Sequence, residues 1–137
     1  MASMTIAKEV MEKEVLSAAD NLSLEEALKL LVNNQITGLP VVDAKGKMVG
    51  VLSEYDIISQ LAERVDLDPS VFDEPIQFTK EVTSVKESTA LEEILKLFVD
   101  KKIRRLPVTS DEGKLVGIIT RRDIMRLYYY RAKFARE

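Results

Sequence analysis

Two short stretches carry residue types suited to holding an anion. Ser53 and Asp56 stand three residues apart, and so do Thr120 and Asp123. Each pair sits where an apolar, strand-like run gives way to a helix-like one. A hydroxyl and a carboxylate at that spacing fall at a helix N-terminus. There, free backbone N–H groups and a partial positive charge favour a negative ligand. The same spacing is also a capping box variant, in which the two side chains only complete the helix start. The neighbours separate the two readings. Arg104, Arg105, Arg121 and Arg122 flank the second pair, and guanidinium groups give phosphate bidentate, charge-assisted hydrogen bonds. The matching places in the first stretch hold Thr37, Gly38, Glu54 and Tyr55. They offer no cation, and Glu54 repels an anion, so a phosphorylated ligand is expected at the second site.

Composition removes most other chemistry. Among 137 residues there is no His, no Cys and no Trp. Without His there is no usual general base, no Ser-His-Asp arrangement and no imidazole metal ligand. Without Cys there is no disulfide, iron–sulfur cluster or thiolate zinc site. An enzyme is therefore not expected, and neither is a metal. Net charge is −3, which argues against nucleic acid. The charge is uneven, however: residues 1–68 carry six basic and twelve acidic side chains, residues 69–137 fourteen and eleven. No apolar run reaches the roughly 18 residues of a membrane span. The N-terminus lacks the charged start and apolar stretch of a signal peptide, and the expected location is the cytoplasm.

The elements that must position these residues come from an internal repeat. Shifted by 67 residues, Lys13–Gln60 aligns without a gap on Lys80–Leu127, with 21 identities in 48 positions. Each copy reads as β-α-β-β-α. Val15–Ala18 and Val82–Val85 read as first strands. Ser23 with Glu26, and Thr89 with Glu92, read as helix starts. Leu24, Ala27, Leu28 and Leu31 recur at helical period, as do Leu91, Ile94, Leu95 and Phe98. Leu39–Val42 and Leu106–Thr109 read as strands with Pro at the start. Met48–Leu52 and Leu115–Ile119 complete hairpins through a turn at Gly46, where a positive φ is expected. The last helices open near Ser53 and Thr120. The second continues to Glu137, with Ile124, Leu127, Tyr128 and Phe134 along one stripe.

Two motifs recur in order: Ile36-Thr37-Gly38-Leu39-Pro40-Val41-Val42-Asp43 with Gly50-Val51-Leu52-Ser53-Glu54-Tyr55-Asp56-Ile57, and Ile103-Arg104-Arg105-Leu106-Pro107-Val108 with Gly117-Ile118-Ile119-Thr120-Arg121-Arg122-Asp123-Ile124. Together they resemble a tandem pair of CBS (cystathionine-β-synthase) domains, a Bateman module, over about Val10 to Tyr130. The resemblance implies an α/β (α+β) fold of two β-α-β-β-α repeats about a pseudo-two-fold axis, their sheets packed face to face. The expected divisions are an N-terminal segment 1–9, a first domain 10–63, a linker 64–76 with Pro69 and Pro75, a second domain 77–130 and a helical end 131–137.

The resemblance further implies regulation: an adenosine-containing ligand (AMP, ADP, ATP or S-adenosylmethionine) in a cleft between the repeats, passing a signal to a regulated enzyme or transporter. No cofactor is required. By that analogy Asp123 accepts the ribose hydroxyls, and Thr120, Arg104, Arg105 and Arg122 meet the phosphate. Ile103 to Pro107 and Val85 line the base, and Thr83 contributes from the first strand. The corresponding weaker set is Ala18, Ile36, Pro40, Ser53 and Asp56. A homodimer is expected through the final helices Ser53–Glu63 and Thr120–Tyr130. The alternative function is a structural dimerisation module with an empty or degenerate cleft.

Overall fold

The computed structural model of the chain describes residues 5–64 and 68–136; Met1–Met4 of the expected N-terminal segment, Val65–Leu67 of the expected linker and Glu137 lie outside them. Two units emerge. One comprises Leu16–Val82, and the other joins the residues up to Val15 with Thr83–Glu137.

In the first unit, β1 (Ala18–Ala19), β2 (Gly38–Val42) and β3 (Met48–Ser53) form a sheet in that order. Helices α2 (Leu24–Asn34) and α3 (Glu54–Ala62) complete the β-α-β-β-α repeat; α1 is a single turn, Ala7–Val10, belonging to the other unit. That unit repeats the plan with β4 (Val85–Lys86), α4 (Leu91–Lys101), β5 (Arg105–Thr109), β6 (Leu115–Thr120) and α5 (Arg121–Ala135). Leu24, Ala27, Leu31, Leu39, Val41 and Leu52 fill the first core. Ile94, Leu106, Val108 and Ile119 fill the second, with Val85 and Ala7. The turns at Gly46 and Gly113 have φ of 82° and 84°, the left-handed region that glycine enters without steric cost.

Several local expectations are corrected. The first strands are two residues long and start later than Val15 and Val82, because only Ala18–Ala19 and Val85–Lys86 reach partners on β2 and β5. The second long helix starts from Ala90, whose side chain provides no cap. Thr89 instead accepts a hydrogen bond from the Lys86 N–H at 3.0 Å. Ser23 does cap α2, accepting from Glu26 N–H at 3.2 Å. Pro40 and Pro107 lie mid-strand, not at strand starts. Pro40 faces Val51 in the antiparallel register, but the Val51 N–H and carbonyl both bond outward to Thr79. The missing proline donor therefore points toward β1, whose pairing begins only at Val41, and no ladder bond is lost. Tyr128 and Phe134 are exposed rather than part of a buried stripe; Phe134 stacks on Tyr130 at 6.3 Å between ring centroids.

The stretch read as a linker supplies core. A 3₁₀ turn at Pro69–Asp73 buries Val71, and Ile76 is buried beyond it. The chain then runs along the outer edge of β3, where Thr79 exchanges backbone hydrogen bonds with Val51 at 2.9 and 3.0 Å. In the other unit Glu12 does the same to Ile118 on β6, at 2.8 and 3.0 Å. Both edge segments lie over a glycine. A Cβ on Gly50 would land on the Thr79 carbonyl oxygen and the Phe78 ring. One on Gly117 would meet the Met11 side chain, with the Glu12 carbonyl at 3.1 Å. Gly50→Ala is therefore expected to destabilise the protein by about 1–3 kcal/mol, the usual cost of overpacking. Gly117→Ala should cost less, because a flexible methionine can yield where a backbone carbonyl cannot. Urea denaturation midpoints of the two variants check the order.

Candidate functional site

Strand β6 ends where α5 begins, and Thr120 is the junction. Its hydroxyl accepts from the Asp123 N–H at 3.2 Å and donates to Asp123 Oδ2 at 2.9 Å, while the Thr120 N–H donates to the same Oδ2 at 2.8 Å. This is a complete capping box. Ser53 and Asp56 build the same box at the start of α3. Both proposed ribose pairs thus have a structural task. They differ in the second carboxylate oxygen. Asp56 Oδ1 accepts a hydrogen bond from the Thr79 hydroxyl at 3.0 Å. For Asp123, 6% exposed, Oδ1 has only Arg126 Nη1 at 3.8 Å among the contacts of the described residues. The residue equivalent to Thr79, 67 positions away, is Glu12, which has no hydroxyl to donate.

Arg105 lies opposite Thr120 in the β5–β6 register, and opposed residues of an antiparallel pair share a face with Cβ atoms roughly 5 Å apart. The half-buried guanidinium is thereby carried on the sheet face beside the start of α5. In the first repeat the corresponding pair is Gly38 and Ser53, with no charge. Burial holds the Arg105 pKa below its ordinary value, and the neighbouring Arg104 guanidinium adds to the effect. Positive charge is therefore concentrated here.

The remaining expected residues divide. Pro107 and Val85 are buried in the second repeat, Thr83 and Ile103 are half-buried, and Arg104 and Arg122 are exposed. Val85 pairs with Val108, the neighbour of Pro107, so the first strand and the proline strand are adjacent. In the first repeat Ala18 pairs with Val41, the neighbour of Pro40, and Ile36 is half-buried. Arg121 is engaged within the repeat. Its Nε donates to the Ile103 carbonyl at 2.9 Å and its Nη2 to Lys102 at 3.3 Å, closing the C-terminal end of α4. The Arg104 carbonyl accepts the Arg121 N–H at 3.2 Å. Thr79 escaped the sequence reading because it lies just outside the aligned block; extending the 67-residue offset by one position, to the Glu12–Thr79 pair, would have reached it.

The CBS domain model matches the chain twice, over residues 7–63 and 75–130, and the chain belongs to that family as a tandem pair. It is 35% identical over 129 residues to the chloroplastic CBS domain-containing protein CBSX1 of Arabidopsis thaliana, covering 76% of this chain and 55% of that protein. Inosine-5'-monophosphate dehydrogenase of Methanocaldococcus jannaschii is 34% identical over 124 residues, 90% of this chain and 24% of the enzyme. The chain therefore spans between a quarter and just over half the length of these two relatives. Two solved structures are similar across nearly their whole chains. CBSX2 in complex with AMP has a TM-score of 0.77 and 32% identity, with 93% of this chain and 98% of that one covered. The CBS domain pair of protein MJ0100, in complex with 5'-methylthioadenosine and S-adenosyl-L-methionine, has a TM-score of 0.73 and 30% identity, with 94% and 99% covered.

The Arg121 bridge predicts a separable effect. Arg121→Ala should lower stability by about 1 kcal/mol, the scale of charge-assisted bonds at an exposed site. It should change affinity for phosphate-bearing ligands far less than Arg105→Ala does. Chemical denaturation paired with titration calorimetry checks both halves.

Proposed function

We propose that the chain is a regulatory binding module for an adenosine-containing ligand, an adenine nucleotide or S-adenosylmethionine, held by the second repeat. Asp123 Oδ1 takes the ribose hydroxyls. Thr120, Arg105, Arg104 and Arg122 take the phosphate at the start of α5. Val85, Ile103 and Pro107 flank the base, with Thr83 beside them. The observation that carries this reading is the placement of Arg105 opposite Thr120, beside a capping carboxylate whose second oxygen meets only Arg126 among the described residues. The bound AMP of CBSX2 and the bound adenosyl compounds of the MJ0100 pair support the ligand class. The protein acts as a homodimer in the cytoplasm. Occupancy acts through a difference in affinity between two conformations, read by a regulated enzyme or transporter. A structural dimerisation module is the second reading, favoured by the use of both Asp side chains as helix caps.

Thermal-shift screening separates the two. An adenine compound at 100 times its dissociation constant adds about 2.7 kcal/mol of stability, whereas a structural module shows no shift with any of them. In calorimetry, Asp123→Ala is expected to weaken AMP binding at least tenfold, as the loss of a charge-assisted hydrogen bond requires. Arg105→Ala should weaken AMP much more than adenosine. Asp56→Ala loses the same kind of cap and serves as the matched control; it should change affinity little. Equal damage from Asp56→Ala and Asp123→Ala would overturn the assignment to the second repeat.

A further inference from the structure

We propose that the groove between α2 and α3 of the first repeat takes the guanidinium and aliphatic stem of an arginine presented by a partner protein. The inference deepens the regulatory reading above by naming the chemistry a partner must offer, and it rests on that reading only for the existence of a partner.

The second repeat shows what this place is shaped for. Arg121 opens α5 there, its N–H bonded to the Arg104 carbonyl at 3.2 Å. Its guanidinium turns back onto the end of α4, Nε on the Ile103 carbonyl at 2.9 Å and Nη2 on the Lys102 carbonyl at 3.3 Å. The first repeat builds the same backbone. Glu54 opens α3 with its N–H on the Thr37 carbonyl at 3.0 Å. Gln35 ends α2 at a φ of 53°, as Lys102 ends α4 at 52°. An ionised carboxylate accepts hydrogen bonds and donates none. Glu54 therefore leaves the Gln35 and Ile36 carbonyls without the cap their counterparts have, and among the described residues no other side chain donates to them.

The result is a groove of ≈ 430 Å³, lined by Gln35, Ile36 and Glu54 and walled by Leu28, Leu31 and Ile57. That volume lies low in the roughly 300–1,000 Å³ range of ligand pockets, which suits one long side chain. Its polar end is negative three times over: the Glu54 carboxylate, the two uncapped carbonyls, and the C-terminal end of α2, whose last turn holds no basic residue. Its walls are apolar. An arginine matches both halves, with a fork of donors for the oxygens and a methylene stem for the leucines. A lysine brings the charge on a more strongly hydrated head with no fork. Val32 and Ile58, beside the groove, are 70% and 63% exposed, apolar surface on which residues flanking such an arginine can rest.

Capped arginine, N-acetyl-L-arginine N-methylamide, is the probe for an arginine within a polypeptide. Titrated into the full chain, it should shift the methyl NMR resonances of Leu28, Leu31 and Ile57 and leave those of Leu95 and Ile124, at equivalent places in the second repeat, unmoved. The citrulline counterpart, equal in shape but uncharged, should bind about tenfold more weakly. Glu54→Gln should weaken the arginine probe by a similar factor, because each change takes the charge out of a charge-assisted bond. Free arginine, whose own carboxylate meets Glu54, should also bind more weakly than the capped form. Glu54→Arg should abolish binding and raise the urea midpoint, since it rebuilds the plug of the second repeat. Absence of methyl shifts at millimolar probe, or equal binding of the citrulline form, overturns the proposal. Free arginine binding as tightly as the capped form overturns the assignment to a partner protein, and so does a loss of self-association in Glu54→Arg, which would place a second copy in the groove. Adenine binding is a separate readout: a failed thermal-shift screen beside a positive arginine titration overturns the nucleotide reading alone.

Discussion

The outer edge of each hairpin is the constraint on which the rest of the structure turns. A three-stranded sheet ending in β3 or β6 leaves a row of unpaired N–H and carbonyl groups, and such an edge must be paired, covered or blunted. Here the chain pairs it with itself. Thr79 bonds Val51, and Glu12 bonds Ile118. The proline at the centre of each motif, the glycine under each edge segment and the burial of the supposed linker all follow. Val51 and Ile118 turn their backbone groups outward, so Pro40 and Pro107 face them without losing a bond. The edge segments lie close enough that a side chain on Gly50 meets the Thr79 carbonyl and one on Gly117 displaces Met11.

The same edge pairing makes the two candidate sites unlike. It brings a hydroxyl, from Thr79, onto the second oxygen of Asp56, and it puts a carboxylate residue, Glu12, at the matching position beside Ile118. Two helix starts with identical capping boxes thereby acquire different hydrogen-bonding capacity. Position 38 or 105 adds a second distinction, Gly against Arg, and position 54 or 121 a third, Glu against Arg. The cores stay apolar throughout: Leu24 and Leu91, Leu39 and Leu106, Val41 and Val108 are the same residues, while Ala18, Ala27 and Leu52 become Val85, Ile94 and Ile119. The repeats have kept an apolar core and both capping boxes and changed the charged residues beside the helix starts.

This division also explains what was legible in the sequence. The repeat, the helical stripes, the glycine turns and the caps at Ser23, Ser53 and Thr120 depend on side chains at fixed local spacing, and each could be read. Strands β1 and β4 could not be delimited, because two-residue pairing depends on where β2 and β5 lie. The edge role of Thr79 and Glu12 is made by backbone groups, which leave no periodic trace. Arg121 looked like its neighbours as a phosphate ligand. Only the left-handed residue Lys102, which ends α4, reveals the carbonyls that Arg121 must satisfy.

Arg105 brings the energetic argument to its last step. A half-buried guanidinium loses part of its hydration, and Arg104 beside it raises the local positive potential. A group that stays charged at every accessible pH cannot escape that cost by losing its proton. The first repeat shows that the fold does not need the charge, since Gly38 occupies the same register position opposite Ser53 with the cap intact. A cation that the fold can do without, set at the start of a fifteen-residue helix, has the character of a binding group. A negative group arriving at the helix start would add to its stabilisation.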